Sequence, residues 1–249
     1  MMLLGLPATG SWTVFLDIDG TLLDIAATPH AVRVPEGLVV TLMQLRESLD
    51  DALAFVSGRT LDDIDQLFEP MRVPVAAEHG AIVRLPDGRV EETDVTIPPA
   101  WRAALVELTK QSAGILLEEK RHSIAVHFRL APETEPLVRE TVDALVAAAS
   151  DRFEVLPARM AFEIRGRNVS KAEAVRRLMQ TSPFVGRRPL YIGDDITDEA
   201  AIAAARELGG VGLHVGRDFG GAPANVRSWI ETLIDEDAPE TPPHPAASS

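Results

Sequence analysis

Residues 13–22 read Thr-Val-Phe-Leu-Asp-Ile-Asp-Gly-Thr-Leu, an apolar run that stops on two carboxylates spaced two apart. The run from Thr13 to Ile18 is continuous rather than alternating, the pattern of a parallel strand covered on both faces. Carboxylates at i and i+2 of an extended chain point to the same side. The C-terminal end of a parallel strand is also where open α/β sheets bind ligands. Asp17 and Asp19 can therefore face one reacting centre, a geometry that suits a nucleophile beside an acid/base. One carboxylate can attack phosphorus to give an aspartyl-phosphate, while the second protonates the departing alkoxide and then deprotonates water. The plain alternative is an Asp-Gly turn closing the strand. A calcium loop does not fit, because Gly20 falls one position early and Thr21 stands where the third ligand belongs.

Outward from this strand, short β-branched runs alternate with helical patterns, which predicts an α/β fold. Helices are expected from Glu36 to Leu49 and from Leu61 to Phe68, strands from Ala52 to Val56 and from Val73 to Ala77. Thr60 with Asp63 three positions on marks a helix start. From Ile82 the texture changes: Pro86-Asp87-Gly88 reads as a turn between short strands, followed by a helix carrying Trp101, Leu105 and Leu108 and another around Val138 and Val142. Strand-like segments at 115–119, 123–129, 153–156 and 161–165 complete a smaller α/β unit. At Ser170-Lys171-Ala172-Glu173 a capping box returns the chain to its first texture, with a strand at Pro189 to Ile192, another at Val211 to Val215 and a last helix to about Ile234. Residues 236–249 are Pro-, Ala- and Ser-rich and acidic, and are expected to be a disordered tail. No internal repeat is present.

A second carboxylate group, Asp194, Asp195 and Asp198, again follows an apolar strand and precedes a helix. Such a cluster raises its own pKa values unless a cation neutralises it. With Asp17 it makes an oxygen-rich cage of the kind Mg²⁺ occupies together with waters and phosphate oxygens; acidic capping of the following helix is the alternative. Ser57-Gly58-Arg59 ends a strand before a helix, where a hydroxyl and backbone N–H groups can converge on a phosphate, or simply make a turn and cap. Lys171 sits in the first turn of its helix, where carboxylates are usual, so it is either a ligand-directed cation or a solvated surface lysine. Charged residues at 118–120, 127–129 and 163–165 close the small unit's strands, giving donors and acceptors suited to several hydroxyls, or protecting a sheet edge.

Composition narrows the classes further. The chain has 249 residues, no cysteine, and 38 acidic against 24 basic residues for a net charge of −14. Disulfides, thiol catalysis and Cys-type zinc sites are excluded. The acidity argues against nucleic acid or an anionic membrane as partner, and no apolar run reaches the ~20 residues that span a bilayer. The apolar start of the chain lacks a basic n-region, so a cytoplasmic protein is expected.

Taken in order, these segments resemble the haloacid dehalogenase-type phosphatases over nearly the whole chain. The resemblance implies a Rossmann-like core with a parallel sheet, made of residues 1–81 and 164–235, and a smaller α/β cap inserted at 82–163 for substrate specificity. It further implies Asp17 as nucleophile and Asp19 as general acid/base, with Gly20, Thr21, Ser57, Gly58 and Lys171 holding the phosphoryl group. Mg²⁺ would bind Asp17, the Asp19 main-chain carbonyl and Asp194, supported by Asp195 or Asp198. More closely still, Asp-x-Asp-Gly-Thr-Leu, Ser-Gly-Arg, Glu-His-Gly, Glu-x-Lys-x-x-Ser with His-x-Arg, Glu-Ile-Arg, Lys and Gly-Asp-Asp-x-Thr-Asp-Glu look like trehalose-6-phosphate phosphatases. That resemblance implies trehalose 6-phosphate as the small-molecule substrate, with Glu118, Lys120, Arg129 and Glu163 on the sugar hydroxyls and Arg59 and His79 near the cleft. Ala172, Gly166 and Phe128 replace the family's usual Gly, Pro and Tyr, and none of them removes a catalytic group. A capped phosphatase for sucrose phosphate or a mannosyl-phosphate ester, or a phosphomutase on the same core, shares most of these features. A non-catalytic sugar-phosphate sensor is disfavoured by the presence of every reacting carboxylate.

Overall fold

The computed structural model describes residues 11–26, 31–158 and 160–236; the expected tail at 236–249 lies, apart from Glu236, outside them. Strand β1 (Trp12–Leu16) is buried along its whole length, as its uninterrupted apolar sequence requires. It pairs in parallel with β2 (Leu53–Val56) on one side and β10 (Arg188–Gly193) on the other. The large sheet has the order β11-β10-β1-β2-β3-β4-β5, where β3 is Val75–Ala77 and β11 is Val211–His214. The strands from β11 to β3 are parallel. β1 stops at Leu16 because the Ile18 carbonyl turns aside to accept N–H groups from Thr21, Leu22 and Leu23, which folds the next residues into a loop over the strand end.

Around this sheet, α1 (Leu38–Ser48) packs on α8 (Pro223–Glu236), and α5 (Lys171–Leu178) packs on α6 (Ile196–Glu207). Helix α2 (Leu61–Leu67) starts at Thr60, whose hydroxyl accepts the Asp63 N–H, as the sequence suggested. α7 is a single turn, Val215–Asp218. One apolar core unites these elements, with Phe15 stacked on Phe184 at 5.5 Å and Phe55 against Phe68 at 4.6 Å.

The hairpin β4 (Ile82–Arg84) and β5 (Val90–Glu92) corrects the expected boundary at 82. Residues 78–80 form a tight turn that lays β4 antiparallel on β3, Ala77 opposite Ile82, so the hairpin extends the large sheet. A connection that short can only return the chain antiparallel beside the strand it left. The other boundary moves too. β9 (Ala161–Gly166) keeps its pairing through Gly166, so residues 164–166 belong to the small sheet.

That second sheet is antiparallel, in the order β6-β7-β9-β8, with β6 at Leu116–Glu119, β7 at Ile124–His127 and β8 at Phe153–Ala158. Helices α3 (Pro99–Thr109) and α4 (Glu135–Ala147) cover one of its faces, where Ile124, Val126, Phe162 and Ile164 join Leu105, Val138 and Val142 in a separate core. Side chains alternate across a strand. Ala125, His127 and Glu163 therefore lie on the opposite, polar face, in line with Glu118 through the register Glu118–Ala125–Glu163.

Candidate active site

The parallel strands deliver their C-terminal ends to one place, the crevice where such sheets bind ligands. Asp17 follows β1 and is tied to β10 by its N–H on the Ile192 carbonyl. Its carboxylate is buried, accepts the Thr21 hydroxyl at 3.0 Å, and accepts Lys171 Nζ at 2.7 Å. Lys171, equally buried, also donates to Asp198 Oδ1 at 2.7 Å. It is thus no solvated surface lysine.

Asp198 is fully buried and takes four donors: Lys171, the Tyr191 hydroxyl at 2.5 Å, and the Asp194 and Asp195 N–H groups at 3.1 and 3.0 Å. It therefore shapes the 194–195 loop as much as it offers oxygen. Carboxylate oxygens of Asp17, Asp194 and Asp198 lie within 4.8 Å of one another. Two glycines permit the approach. A Cβ on Gly20 would stand 2.0 Å from Asp194 Oδ2, and one on Gly193 would stand 2.3 Å from Asp198 Cγ.

Burial, followed by repulsion from Asp198 and Asp194, pushes the Asp17 carboxyl well above the usual range, and Lys171 offsets only part of this. Burial and Asp198 likewise raise Asp194 to about 6. Burial opposes the Lys171 charge, but Asp17 and Asp198 outweigh it and hold the ammonium above its ordinary value. Three carboxylates thus face one ammonium in a buried pocket, a donor set that fits a hard divalent cation on oxygen ligands.

The other expected residues divide. Asp19 is gripped by Arg59 through two hydrogen bonds of 2.6 and 2.7 Å. Arg59 is itself mostly buried, and its N–H meets Ser57 Oγ at 3.2 Å. Gly58 leaves room for His79, whose Nε2 would lie 2.5 Å from any Cβ there. Asp195, expected among the metal ligands, is placed apart from them: its exposed carboxylate caps α6, accepting the Ile196 N–H at 2.7 Å, while the close oxygen cluster is made by Asp17, Asp194 and Asp198. The helix-capping alternative describes Asp195, whereas Asp194 and Asp198 turn inward.

On the small unit, Glu163 is buried and meets Lys120 Nζ at 3.2 Å, the Ser123 hydroxyl at 2.6 Å and His79 Nε2 at 3.2 Å. Burial alone would raise its carboxyl, but His79, Lys120 and Ser123 outweigh it and hold it well below the ordinary range. Burial lowers His79, so at neutral pH its ring is uncharged; Nε2–H then donates to Glu163, and Nδ1 is left without a partner. Glu118 accepts His127 Nε2 at 2.9 Å and lies 3.6 Å from Lys120 Nζ. Arg129 is exposed in the turn beyond β7, four residues past the Ala125 that pairs with Glu163.

Sequence reasoning passed over Tyr191 and Glu78. Tyr191 is the chain's single tyrosine and stands inside an otherwise apolar strand, a signal that its hydroxyl has a buried partner. Glu78 is buried beside His79 and accepts N–H groups from Arg121 and His122 of the small unit. An open cleft of about 380 Å³ adjoins the cluster, lined by Gly20, Asp24, Asp194 and His214 and by none of the small unit's residues.

A parallel sheet presenting buried carboxylates and a lysine at its strand ends, with an inserted sheet beside them, defines a phosphatase fold of the haloacid dehalogenase class. A phosphatase of the haloalkanoate (HAD) enzyme superfamily from Bacteroides thetaiotaomicron superposes with a TM-score of 0.58 at 15% identity, covering 94% of this chain and 99% of that one. The chain belongs to the trehalose-phosphatase family, whose profile matches residues 15–228. A probable trehalose-phosphate phosphatase of Sinorhizobium fredii is 42% identical over 207 residues, 83% of this chain and 78% of its own length. The C-terminal domain of the Candida albicans trehalose-6-phosphate phosphatase shares the fold with a TM-score of 0.73 at 20% identity, over 91% of this chain and 93% of that one. No helix among the described residues is long and apolar enough to cross a membrane.

Proposed function

We propose that this phosphatase hydrolyses trehalose 6-phosphate to trehalose and phosphate through an aspartyl-phosphate on Asp17, with Mg²⁺ as cofactor. The observation that carries the reading is the pairing of two unlike sites. Asp17 is buried beside Lys171, with Asp19 two residues on, and the hydrogen-bonding row Glu118, Lys120 and Glu163 stands on the neighbouring sheet. The relatives named for this activity supply the sugar.

In the proposed reaction an Asp17 oxygen attacks phosphorus while the bond from phosphorus to the sugar C6 oxygen breaks. Asp19, carrying a proton once its ion pair with Arg59 has opened, donates that proton to the oxygen, and trehalose leaves neutral. Asp19 then takes a proton from water, the water oxygen attacks phosphorus, and phosphate departs with Asp17 restored. Lys171 places positive charge beside the attacking carboxylate, and Ser57 with the N–H groups around Gly58 offers donors to the phosphoryl oxygens. Asp17 and Asp194, with the Asp19 carbonyl, would hold Mg²⁺, which when bound neutralises charge on the phosphoryl group; Asp198 orients the loop that carries Asp194. The small unit acts as a cap whose polar face selects the sugar while closure excludes bulk water.

The test is a panel of sugar phosphates read by free phosphate, with and without Mg²⁺. A marked preference for trehalose 6-phosphate and dependence on Mg²⁺ are expected, together with loss of turnover by at least about a thousandfold in Asp17→Asn. Activity confined to monosaccharide phosphates, phosphate migration without net release, or undiminished turnover by Asp17→Asn would overturn the reading.

A further inference from the structure

The turn that joins β3 to β4 is built against ordinary backbone preference. Glu78 and His79 both sit in the left-handed region, with φ of 46° and 59°, and Gly80 follows at 101°. Residues with a Cβ avoid this region unless their surroundings dictate it, and such positions concentrate at functional sites.

Three surroundings dictate it here. The Glu78 and His79 N–H groups donate to the carbonyls of Arg59 and Ser57, each at 2.9 Å, which pins the turn to the loop after β2. Gly80 lies against the start of α5, where a Cβ would approach the Ser170 carbonyl to 2.7 Å, one residue from Lys171. The Glu78 side chain then crosses to the small unit. It is 3% exposed, and its two oxygens accept the Arg121 N–H at 3.2 Å and the His122 N–H at 2.9 Å.

Those two amides are the middle of the tight turn between β6 and β7, closed by the Lys120 N–H on the Ser123 carbonyl at 3.1 Å. Its two ends, Lys120 and Ser123, are the residues that donate to Glu163. His122 is anchored separately, its Nδ1 lying 2.7 Å from the Val95 carbonyl. A carboxylate that accepts two consecutive backbone N–H groups fixes both the position and the orientation of the segment that carries them.

The geometry points to Glu78 as a positioning residue for substrate choice: it docks the cap's β6–β7 turn onto the core, setting Lys120 and Glu163 at a fixed place relative to Ser57, Arg59 and Lys171. Glu78 does this without touching the reacting atoms. A sugar phosphate must engage both units at once, and its phosphorus meets Asp17 correctly only while that spacing holds. A phosphate ester with no sugar engages the core alone and is indifferent to the spacing. The inference rests on the sugar-phosphate reading above and adds a residue to it.

The experiment compares wild type, Glu78→Ala and Glu78→Gln in Mg²⁺, measuring kcat and KM for trehalose 6-phosphate and for p-nitrophenyl phosphate, with a thermal melt of each protein. Misplacement by about an ångström costs on the order of a hundredfold. The Ala variant is therefore expected to lose about 10- to 100-fold in kcat/KM on trehalose 6-phosphate, with less than about threefold change on the small ester. The Gln variant keeps one acceptor and is expected to fall between the two. Should the Ala variant not fold, the same ratio in the Gln variant carries the test. Parallel loss on both esters would mean a merely structural role and overturn the inference, as would undiminished kcat/KM on the sugar phosphate in a wild type that prefers it. A wild type with no such preference fails at the earlier step, and the proposed function falls together with the positioning role.

Discussion

The carboxylates of the core and those of the small sheet are both buried, yet they are opposite in their electrostatics. Around Lys171, Asp17, Asp194 and Asp198 crowd a single ammonium, and burial with mutual repulsion drives Asp17 and Asp194 upward, Asp194 to about 6. Around Glu163, Lys120, Ser123 and His79 supply enough donors that the carboxyl is held well below its ordinary range despite burial. The first cluster is short of positive charge, while the second is satisfied from within. A cluster short of charge is completed by a cation and then by an anion that the cation tolerates. A satisfied one exchanges hydrogen bonds with neutral hydroxyls without a change in its charge. The contrast divides phosphate from sugar between the two units on physical grounds.

Asp198 gives the severest test of that contrast, because it belongs to the crowded cluster but holds four donors. Removing one partner of a buried charged network costs about 3–5 kcal/mol. Asp198→Ala strands Lys171, the Tyr191 hydroxyl and two N–H groups. A stability loss of that order in urea unfolding is expected, with phosphate release reduced by more than about a hundredfold as the 194–195 loop loosens. A more stable variant would break the comparison, since repulsion from Asp17 and Asp194 would then outweigh the donors.

Lys120 probes the other region. In Lys120→Met the Glu163 carboxylate keeps His79 and Ser123 but loses its cation. Leaving a buried polar group under-satisfied costs on the order of 2 kcal/mol, read as a lower thermal midpoint. KM for the sugar phosphate is expected to rise about tenfold or more with kcat changed less. An equal fall in kcat and kcat/KM would place Lys120 with the reacting groups and erase the division between the two regions.

How much of this was legible beforehand follows the same divide. The run from Thr13 to Ile18 announces a buried parallel strand, and the carboxylates after it announce the site, because strand end and motif are contiguous in sequence. The capping boxes at Thr60 and Ser170 are local for the same reason. The hairpin at 82–92 was expected in the inserted unit and joins the large sheet instead, since a composition shift does not say which sheet a hairpin joins; the tight turn at 78–80 does, through conformations that Glu78 and His79 do not advertise. Asp195 and Asp198 share one motif, and only the start of α6 distinguishes the capping carboxylate from the inward one. The place of Arg129, in an exposed turn past the end of β7, is not announced by any local signal either. Glu78 was hidden because its partners lie more than forty residues away, across the junction of the two units.

The smallest effect concerns pH and belongs to His79, which touches both regions. Its ring is held below the ordinary 6.5 by burial, with Lys120 and Lys171 adding to the effect and Glu163 opposing it. Above 6.5 the ring is neutral in folded and unfolded chains alike, so this part of the stability is complete. As pH falls from 6.5 through the lower folded value, the unfolded chain takes up a proton that the folded one refuses, and stability is lost. Glu163 adds a second loss only further down, below 4.5, as its depressed folded value is passed. Asp194, raised to about 6, runs the other way, favouring the fold as it protonates. The informative quantity is therefore the difference between wild type and His79→Gln above pH 5, in which the contribution of Asp194 largely cancels. Glutamine retains an N–H for Glu163 and does not titrate. Between pH 7.5 and 5.5 the wild type is expected to lose more stability than the variant, read as a larger fall in thermal midpoint. Parallel curves with a constant offset would mean that His79 is not held neutral, and the satisfied cluster would then owe part of its balance to a charge on that ring.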